Sequence, residues 1–557
     1  MLKEIRLIVA EVSGEAQFSV SYTEHVQFGH VTSNVAMVMA KNENRNPKEL
    51  ADELASKLFD GHKDIFLKVG VAGPGFINFT LTPEFILNCL SKKIEIESEY
   101  KNKKVLVEYT DPNPFKVFHI GHLMTNIIGE SVARIYETAG ADVKRVNYQG
   151  DVGRHIAINI YAILKPENYK KFLELKSGNL DIKEKVKWLG EKYAEGYKDF
   201  DSDIEGGEIA QSVADINKKI YEKSDDTIND IYETGRKWSL DYFEVLYKKL
   251  DTKFDEYIFE SEAAPIGVQI VNDNIGKVFE VGEEGAIIYD GEKVGLHKRV
   301  FINKNGLPTY EAKDLGNMEE KKRRFGVFDK SIVITGNEQS DYFKVLYSAI
   351  NDLGIFKRDM MQHISHGMMR FTDGKMSSRK GNIIAGDELI EDIKNILKEK
   401  FDSSRIDNQE EKEDTLESVA IASLKYSILK QALGRDVVFD IDKAISVEGD
   451  SGPYLQYTYA RFNSVAKEGG TDIEVNENNF ALLLELVKYS DVLQEVVNET
   501  APQKLATYMV SLARLANSWY ASNKIAGDSN NEAIANKIKD TLKSGLHILG
   551  IKTPERM

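Results

Sequence analysis

KVLVEYTDPNPFKVFHIGHLMTNIIGESVARIYETAGADVKRVNYQG, residues 104–150, decides the fold. It opens with a short apolar strand pattern, KVLVEYT, and passes through a proline-broken turn, DPNPFK. An amphipathic helical pattern, HLMTNIIGESVARIYETAG, then runs to Gly140, and a second strand, DVKRVNYQG, follows. Strand, turn, helix and strand make a β-α-β unit, which predicts a parallel, Rossmann-like sheet. The ligand of such a sheet lies beyond the carboxyl ends of its strands.

Working outward, further strand candidates are KVFEVGEEGAIIYDG, SIVITG and QHISHGMM. A charged helical stretch at about 160–250, including EKVKWLGEKYAEGY and WSLDYFEVLYKKL, reads as an insertion. Upstream, Asn46-Pro47 caps and opens a helix over NPKELADELASKLF, and FLKVGVAGPGFINFTLTP alternates around a Gly-Pro-Gly turn. From about residue 390 strand signals fade, and LESVAIASLKYSILKQAL, FALLLELVKYSDVLQEVV and QKLATYMVSLARLANSWYAS carry apolar residues at three- and four-residue spacing. The expected architecture is multidomain α/β. A small N-terminal α/β domain spans 1–97, a Rossmann-like catalytic domain with its helical insertion 98–388, and an all-α bundle 389–557.

Of the 557 residues, 42% are hydrophobic and 29% charged, ordinary values for a globular protein. No apolar run approaches the ~20 residues of a membrane span, and MLKEIRLIVAEV interrupts its apolar residues with charges. Cys89 is the only cysteine, so an intramolecular disulfide and a cysteine-rich zinc site are both excluded. A cytoplasmic setting fits. The net charge of −16 does not exclude a nucleic-acid partner, because electrostatic footprints are local and 73 Lys and Arg remain to be distributed.

His119-Ile120-Gly121-His122 admits three readings. A zinc site would need further ligands that ten scattered histidines and one cysteine do not obviously supply. A pair of core histidines is the plain alternative. In the third reading the pair lies beside a helix N-terminus, where free N–H groups favour an anion, and both imidazoles donate to phosphate. Gly121 would then leave room for a flat base or ribose. FTDGKMSSRKGN, residues 371–382, strengthens the third reading: a glycine-bracketed loop bearing Lys375, Arg379 and Lys380 can close over a triphosphate.

Together, His-Ile-Gly-His and Lys-Met-Ser-Ser-Arg resemble the two signatures of class I aminoacyl-tRNA synthetases. DPNPFKVFHIGHLMTNIIGE, NYQGDVGRHIA, FDEYIFES, LPTYEAKDLG, MSSRKGN, SGPYLQYTYARFNSV and the ending PERM resemble the arginyl-tRNA synthetases. The resemblance covers essentially the whole chain. It implies ATP-dependent activation of L-arginine to arginyl-adenylate, then transfer to the 2′-hydroxyl of the 3′-terminal adenosine of tRNA(Arg). MgATP is the substrate complex, no structural metal is expected, and the protein is expected to be a monomer off the membrane.

By resemblance, His119, His122 and Gly121 serve ATP, with Met376, Ser377, Arg379 and Lys380 of the second signature. That signature has Ser378 in place of a second lysine, and the missing cation falls to Lys116, with Lys375 sharing the catalytic work. Asn113, Tyr310, Asp314, Gln339 and Glu260 hold arginine. Tyr310 and Asp314 stand one helical turn apart, and carboxylates suit a guanidinium. In GNEQSDYF, Tyr342 stands where the family pattern leads one to expect histidine. Gly150 and Asp151 form a tight turn, structural first and lining the nucleotide site second. On the RNA side, Tyr454, Tyr457 and Arg461 share a helix face suited to unpaired bases; Met557 lies near the anticodon loop, and Phe76 and Asn78 face the tRNA elbow. The rival readings are a small-molecule nucleotidyltransferase and a non-catalytic tRNA-binding relative.

Overall fold

The computed structural model describes residues 1–203, 206–372, 384–400, 408–466 and 473–557. The chain forms two compact units. One comprises Ser98–Pro453 and His547–Lys552, the other Met1–Glu97, Tyr454–Leu546 and Thr553–Met557.

The first unit is built on five parallel strands: β1 Lys104–Glu108, β2 Asp142–Gln149, β3 Glu256–Phe259, β4 Lys330–Gly336 and β5 Met361–His366. Their order across the sheet is 3-2-1-4-5. In such a sheet the winding direction reverses between β1 and β4, and the crevice beyond their carboxyl ends is where ligands bind. Val105, Leu106 and Val107 on β1 and Ile332 and Ile334 on β4 are fully buried, as strands covered on both faces must be. Helix α1, Ile120–Thr138, crosses from β1 to β2, and Gly140 follows it with φ 84°. The KVFEVGEEGAIIYDG stretch does not join this sheet: Glu280–Val281 and Ile287–Tyr289 pair antiparallel with each other, and Arg299–Ile302 extends them. Short apolar runs announce a strand but not its partner.

Between β2 and β3 come α2 Arg154–Ile163 and then the insertion helices α3 Pro166–Ser177, α4 Ile182–Ser202, α5 Glu208–Glu222 and α6 Asp226–Lys249. After β3 follow α7 Glu260–Asp273, α8 Tyr310–Phe325 and α9 Ser340–Asp352. A late strand, Val437–Phe439, pairs parallel with Met369–Phe371, in a region whose sequence reads as helical.

In the second unit, four antiparallel strands (Val20–Tyr22, Val31–Ser33, Phe66–Ala72 and Phe76–Leu81) form a sheet beside four helices. The Asn46 side chain accepts from Lys48 N–H, and Pro47 opens its helix, as the sequence predicts. Helices Gly452–Val465, Phe480–Glu499, Pro502–Ser522 and Ser529–Ile548 supply the all-α part. The Asp491 carboxylate ties the two parts together, accepting from Tyr22 Oη at 2.5 Å and Leu2 N–H at 3.1 Å.

Helices α7 and α8 touch backbone to backbone. A Cβ on Gly267 would lie 1.7 Å from the Ala312 carbonyl oxygen, and one on Gly316 1.9 Å from that of Ala263. Gly→Ala inside a helix ordinarily stabilises by about 1 kcal/mol. Here the sign reverses: Gly316→Ala is expected to cost about 1–3 kcal/mol through overpacking, seen as a lower thermal midpoint, and an unchanged or raised midpoint would contradict the close crossing.

Candidate active site

A cavity of about 780 Å³ opens at the carboxyl ends of β1 and β4. Its floor begins with the loop that leaves β1. Thr110 (φ 78°), Asp111 (φ 44°) and Phe115 (φ 65°) all take left-handed backbone conformations, which are strained for any L-residue and most of all for a β-branched one. The strain is held by specific bonds. Asp111 Oδ1 accepts from Tyr148 N–H at 2.8 Å, Thr110 Oγ1 from Asn126 at 3.0 Å, and Ser239 Oγ from Phe115 N–H at 2.9 Å. The kinked loop turns Asn113 toward Gly150, where a Cβ would meet Asn113 Oδ1 at 2.3 Å. Gly150 is therefore required by packing.

The histidine pair builds the start of α1. His119 Nδ1 accepts from Gly121 N–H at 3.1 Å and His122 N–H at 3.4 Å, and His122 Nδ1 accepts from His119 N–H at 3.2 Å. The rings stack at 3.7 Å with 16° between their planes. Backbone N–H groups only donate, so both Nδ1 atoms accept and each neutral ring carries its proton on Nε2. Ile120 N–H is bonded to the Ile384 carbonyl at 3.1 Å. The helix-start N–H groups that the sequence reading offers to an anion are thus already used, and the two Nε2–H groups take over that role. A Cβ on Gly121 would sit 2.9 Å from the His119 ring, so its first duty is to admit that ring. Burial lowers the pKa of His119, helped by the Lys116 charge; burial lowers that of His122 much further, with His119 and Lys116 adding to it.

The same cavity is also lined by acidic side chains. Tyr310 and Asp314 of α8 both line the cavity, with Tyr310 67% exposed. Asp314 accepts from Tyr342 Oη at 2.5 Å. Burial pushes the Asp314 carboxyl up to about 8; the Tyr342 bond opposes this, while Glu108 and Glu260 reinforce it. Tyr342, the departure from the family pattern, is thus the group that orients Asp314. Glu260, at the start of α7, pairs with Lys313 at 2.6 Å, and burial raises its pKa. Gln339 lines the same cavity. Sequence reasoning missed Glu108, Asp111, Tyr148 and His366, which also line it. Glu108 closes β1 and His366 closes β5, so the rule that ligands bind at strand carboxyl ends could have found them.

Two expected residues lie off the cavity wall. Asp151 is buried beneath it and accepts from Ser261 N–H (2.9 Å), Ser261 Oγ (2.8 Å), Tyr232 Oη (3.0 Å) and Arg236 Nε (2.9 Å). With four donors satisfied it acts as a brace. Lys116 is half-buried, and among the described residues no carboxylate lies within ion-pair distance of it; burial lowers its pKa and Glu260 opposes the shift. Lys375, Met376, Ser377, Arg379 and Lys380 lie outside the described residues. Among those described, no group of three or more His, Cys, Asp or Glu is placed to hold a metal, and no helix is long and apolar enough to cross a membrane.

In the second unit, Tyr454 is buried, and its hydroxyl accepts from Asn517 at 3.1 Å. Arg461 bonds Asn517 Oδ1 and Tyr457 Oη, both at 2.6 Å, and lies over the Tyr457 and Tyr520 rings. Tyr457 and Arg461 remain half-exposed, whereas Tyr454 belongs to the packing beneath them. Phe76 and Asn78 alternate with buried Ile77 and Phe79, so they share the outward face of their strand. Met557 is half-buried.

Residues 85–441 match the family described as tRNA synthetases class I (R), catalytic domain. Residues 2–81 match the arginyl tRNA synthetase N terminal domain, and residues 455–557 the DALR anticodon binding domain. The sheet, the histidine signature and these matches define a class I aminoacyl-tRNA synthetase. Within that class, the chain belongs to the arginyl-tRNA synthetase family. An arginine–tRNA ligase of Borrelia garinii is 32% identical over 530 residues, covering 90% of this chain and 88% of the relative. One of Fusobacterium nucleatum is 29% identical, covering 95% and 94%. The fold is shared with solved arginyl-tRNA synthetases of Thermus thermophilus (TM-score 0.79, 22% identity, all of both chains) and Plasmodium falciparum (TM-score 0.76, 22% identity, 100% of this chain and 99% of that one).

The histidine geometry has a direct spectroscopic consequence. In ¹⁵N-histidine spectra, His122 is expected to be neutral with its proton on Nε2 at the pH where an ordinary imidazole is half protonated, because burial lowers its pKa; a doubly protonated ring there would contradict the assigned cap.

Proposed function

We propose that this cavity is where arginine and ATP react. In the family's reaction the chain activates L-arginine with ATP, forming arginyl-adenylate and releasing pyrophosphate. It then transfers the arginyl group to the 3′-terminal adenosine of tRNA(Arg), releasing AMP. The observation that carries the reading is one cavity lined both by two histidines whose Nε2–H groups are left as donors and by buried carboxyl groups, at the reversal of a 3-2-1-4-5 sheet.

In this reading Asp314 and Glu260 receive the guanidinium, Tyr310 covers it at the mouth, and Asn113 and Gln339 orient the α-amino and carboxylate groups. The carboxylate oxygen attacks the α-phosphorus, so the protein must position reactants and neutralise developing charge. His119 and His122 donate to the phosphates without themselves being charged. Lys116 supplies the cation beside them, and Lys375, Arg379 and Lys380 meet the departing pyrophosphate, with Met376 and Ser377 between them in sequence. Magnesium enters with ATP as part of the substrate. Gly150 lets Asn113 and Glu260 approach, and Asp151 braces the turn that holds it.

On the RNA side, Tyr457 and Arg461 are the half-exposed pair offered to anticodon-loop bases, with Tyr454 supporting them through Asn517; Met557, at the far end of the same unit's sequence, is offered to the anticodon loop by the family likeness alone. Phe76 and Asn78 form the outward patch offered to the tRNA elbow. We place the protein in the cytoplasm as a monomer.

Pyrophosphate exchange into ATP is expected to require arginine and to appear only with tRNA present; exchange without arginine would sink the reading. A further expectation concerns pH. Burial keeps Asp314 protonated below about 8, whereas a bound guanidinium needs it ionised. Arginine affinity should therefore rise from pH 6.5 to 8.5, with up to one proton released per arginine bound, as calorimetry in buffers of different ionisation enthalpy would register. Asp314→Asn should abolish the release and raise the arginine KM about 10- to 150-fold, the ~1.5–3 kcal/mol of a hydrogen bond to a charged group. An equal rise in the ATP KM would remove Asp314 from the arginine pocket.

A further inference from the structure

Lys116 sits in a loop that the insertion grips from several sides. On α6, Ser239 Oγ accepts from Phe115 N–H at 2.9 Å and donates to the Gly235 carbonyl at 2.9 Å. Gly235 lies under the Phe115 ring, where a Cβ would come within 2.3 Å of it. On α2, the Asn159 amide donates to the Phe115 carbonyl at 3.2 Å and to the Leu189 carbonyl of α4 at 2.8 Å, bridging loop and insertion through one side chain. The next residue of α4, Gly190, passes so close to Val117 that a Cβ would lie 2.8 Å from Val117 Cγ2. Three residues further along, on the same helix face, Tyr193 brings its ring centroid 5.2 Å from Lys116 Nζ.

An ammonium can be fixed by a carboxylate, by carbonyl oxygens or by an aromatic face. A carboxylate would cancel the charge that a phosphate needs. Lys313 of the same unit is held in that way by Glu260. A ring face attracts the cation through its quadrupole and leaves its N–H donors free. We propose that Tyr193 is a positioning residue for the reaction: its ring holds the Lys116 ammonium, unneutralised, where it faces the phosphates of ATP. The insertion then does more than extend the surface, since α4 and α6 set the loop and α4 supplies the ring. The inference rests on the assignment of Lys116 as the phosphate cation.

The test is arginine-dependent pyrophosphate exchange, with tRNA, on Tyr193→Leu, Tyr193→Phe, Lys116→Ala and the Tyr193→Leu/Lys116→Ala double variant. Tyr193→Leu should lower kcat about tenfold, equivalent to ~1.4 kcal/mol, with the arginine KM within about twofold. Tyr193→Phe, which keeps the ring, should stay within about twofold of wild type in kcat. Added to Lys116→Ala, the leucine should change kcat less than about twofold, because the cation it would release is already gone. A full additional loss in that background, or a loss in Tyr193→Phe as large as in Tyr193→Leu, overturns the proposal. A harmless Tyr193→Leu beside a deficient Lys116→Ala overturns the positioning role alone; a near-normal Lys116→Ala overturns the assignment beneath it. Should the leucine variant melt early, pentafluorophenylalanine at 193 carries the test. It keeps the shape and reverses the quadrupole, so a rate equal to that of Tyr193→Phe would overturn the proposal.

Discussion

The site depends on the way one imidazole caps its own helix. His119 gives its Nδ1 to the N–H groups of Gly121 and His122, and His122 returns its Nδ1 to His119 N–H. That exchange satisfies donors that a helix start otherwise leaves open. It also fixes both tautomers and sends both Nε2–H groups away from the helix. Because α1 starts where β1 ends, the cap stands at the reversal point of the sheet, where a ligand has room. Fold and chemistry meet in these three bonds.

The acidic side chains are held with comparable firmness by a different device. Helices α7 and α8 cross at paired glycines, Gly267 and Gly316, with their backbones in contact. The crossing brings Glu260 from the start of α7 against Lys313 on α8, and it fixes the face that carries Tyr310 and Asp314. A buried pair such as Glu260–Lys313 adds little net stability, but removing one partner strands a buried charge at a cost of about 3–5 kcal/mol. Its value here is in registering the two helices. Asp314, by contrast, is left with a neutral hydroxyl partner in Tyr342 and no cation within ion-pair distance among the described residues. Such a carboxyl is poorly satisfied until a cation arrives, which is what a binding wall for a guanidinium requires. Glu108 is paired with Lys321 at 2.9 Å.

Much of this was legible in residue order alone. The parallel sheet could be read because its two central strands, KVLVE and SIVITG, are buried and appear as apolar runs, with Gly140 ending the helix between the first two strands, whereas the edge strand Glu256–Phe259 is too short and mixed to stand out. The histidine signature could be read because its residues are neighbours in sequence, and Tyr310 with Asp314 because one helical turn separates them. What failed did so for identifiable reasons. The reading expected free N–H groups at the start of α1, since nothing in the text says that a histidine will turn back and cap them. Glu108 is one acid among 89 Asp and Glu until the strand order shows it to end at the reversal point. Tyr193 is one of 25 tyrosines, set in a charged helix, and its partner lies 77 positions upstream, as 193 less 116 gives. Tyr454 looked like a stacking platform from spacing, but Asn517 and the surrounding helices enclose it.

The most direct test of the central claim is a crystal structure of the protein with a non-hydrolysable arginyl-adenylate analogue. The account predicts the guanidinium on the Asp314 carboxylate and the phosphate oxygens within about 3 Å of Nε2 of His119 and His122. An analogue bound with its phosphate on the acidic side chains, or seated outside this cavity, would contradict it.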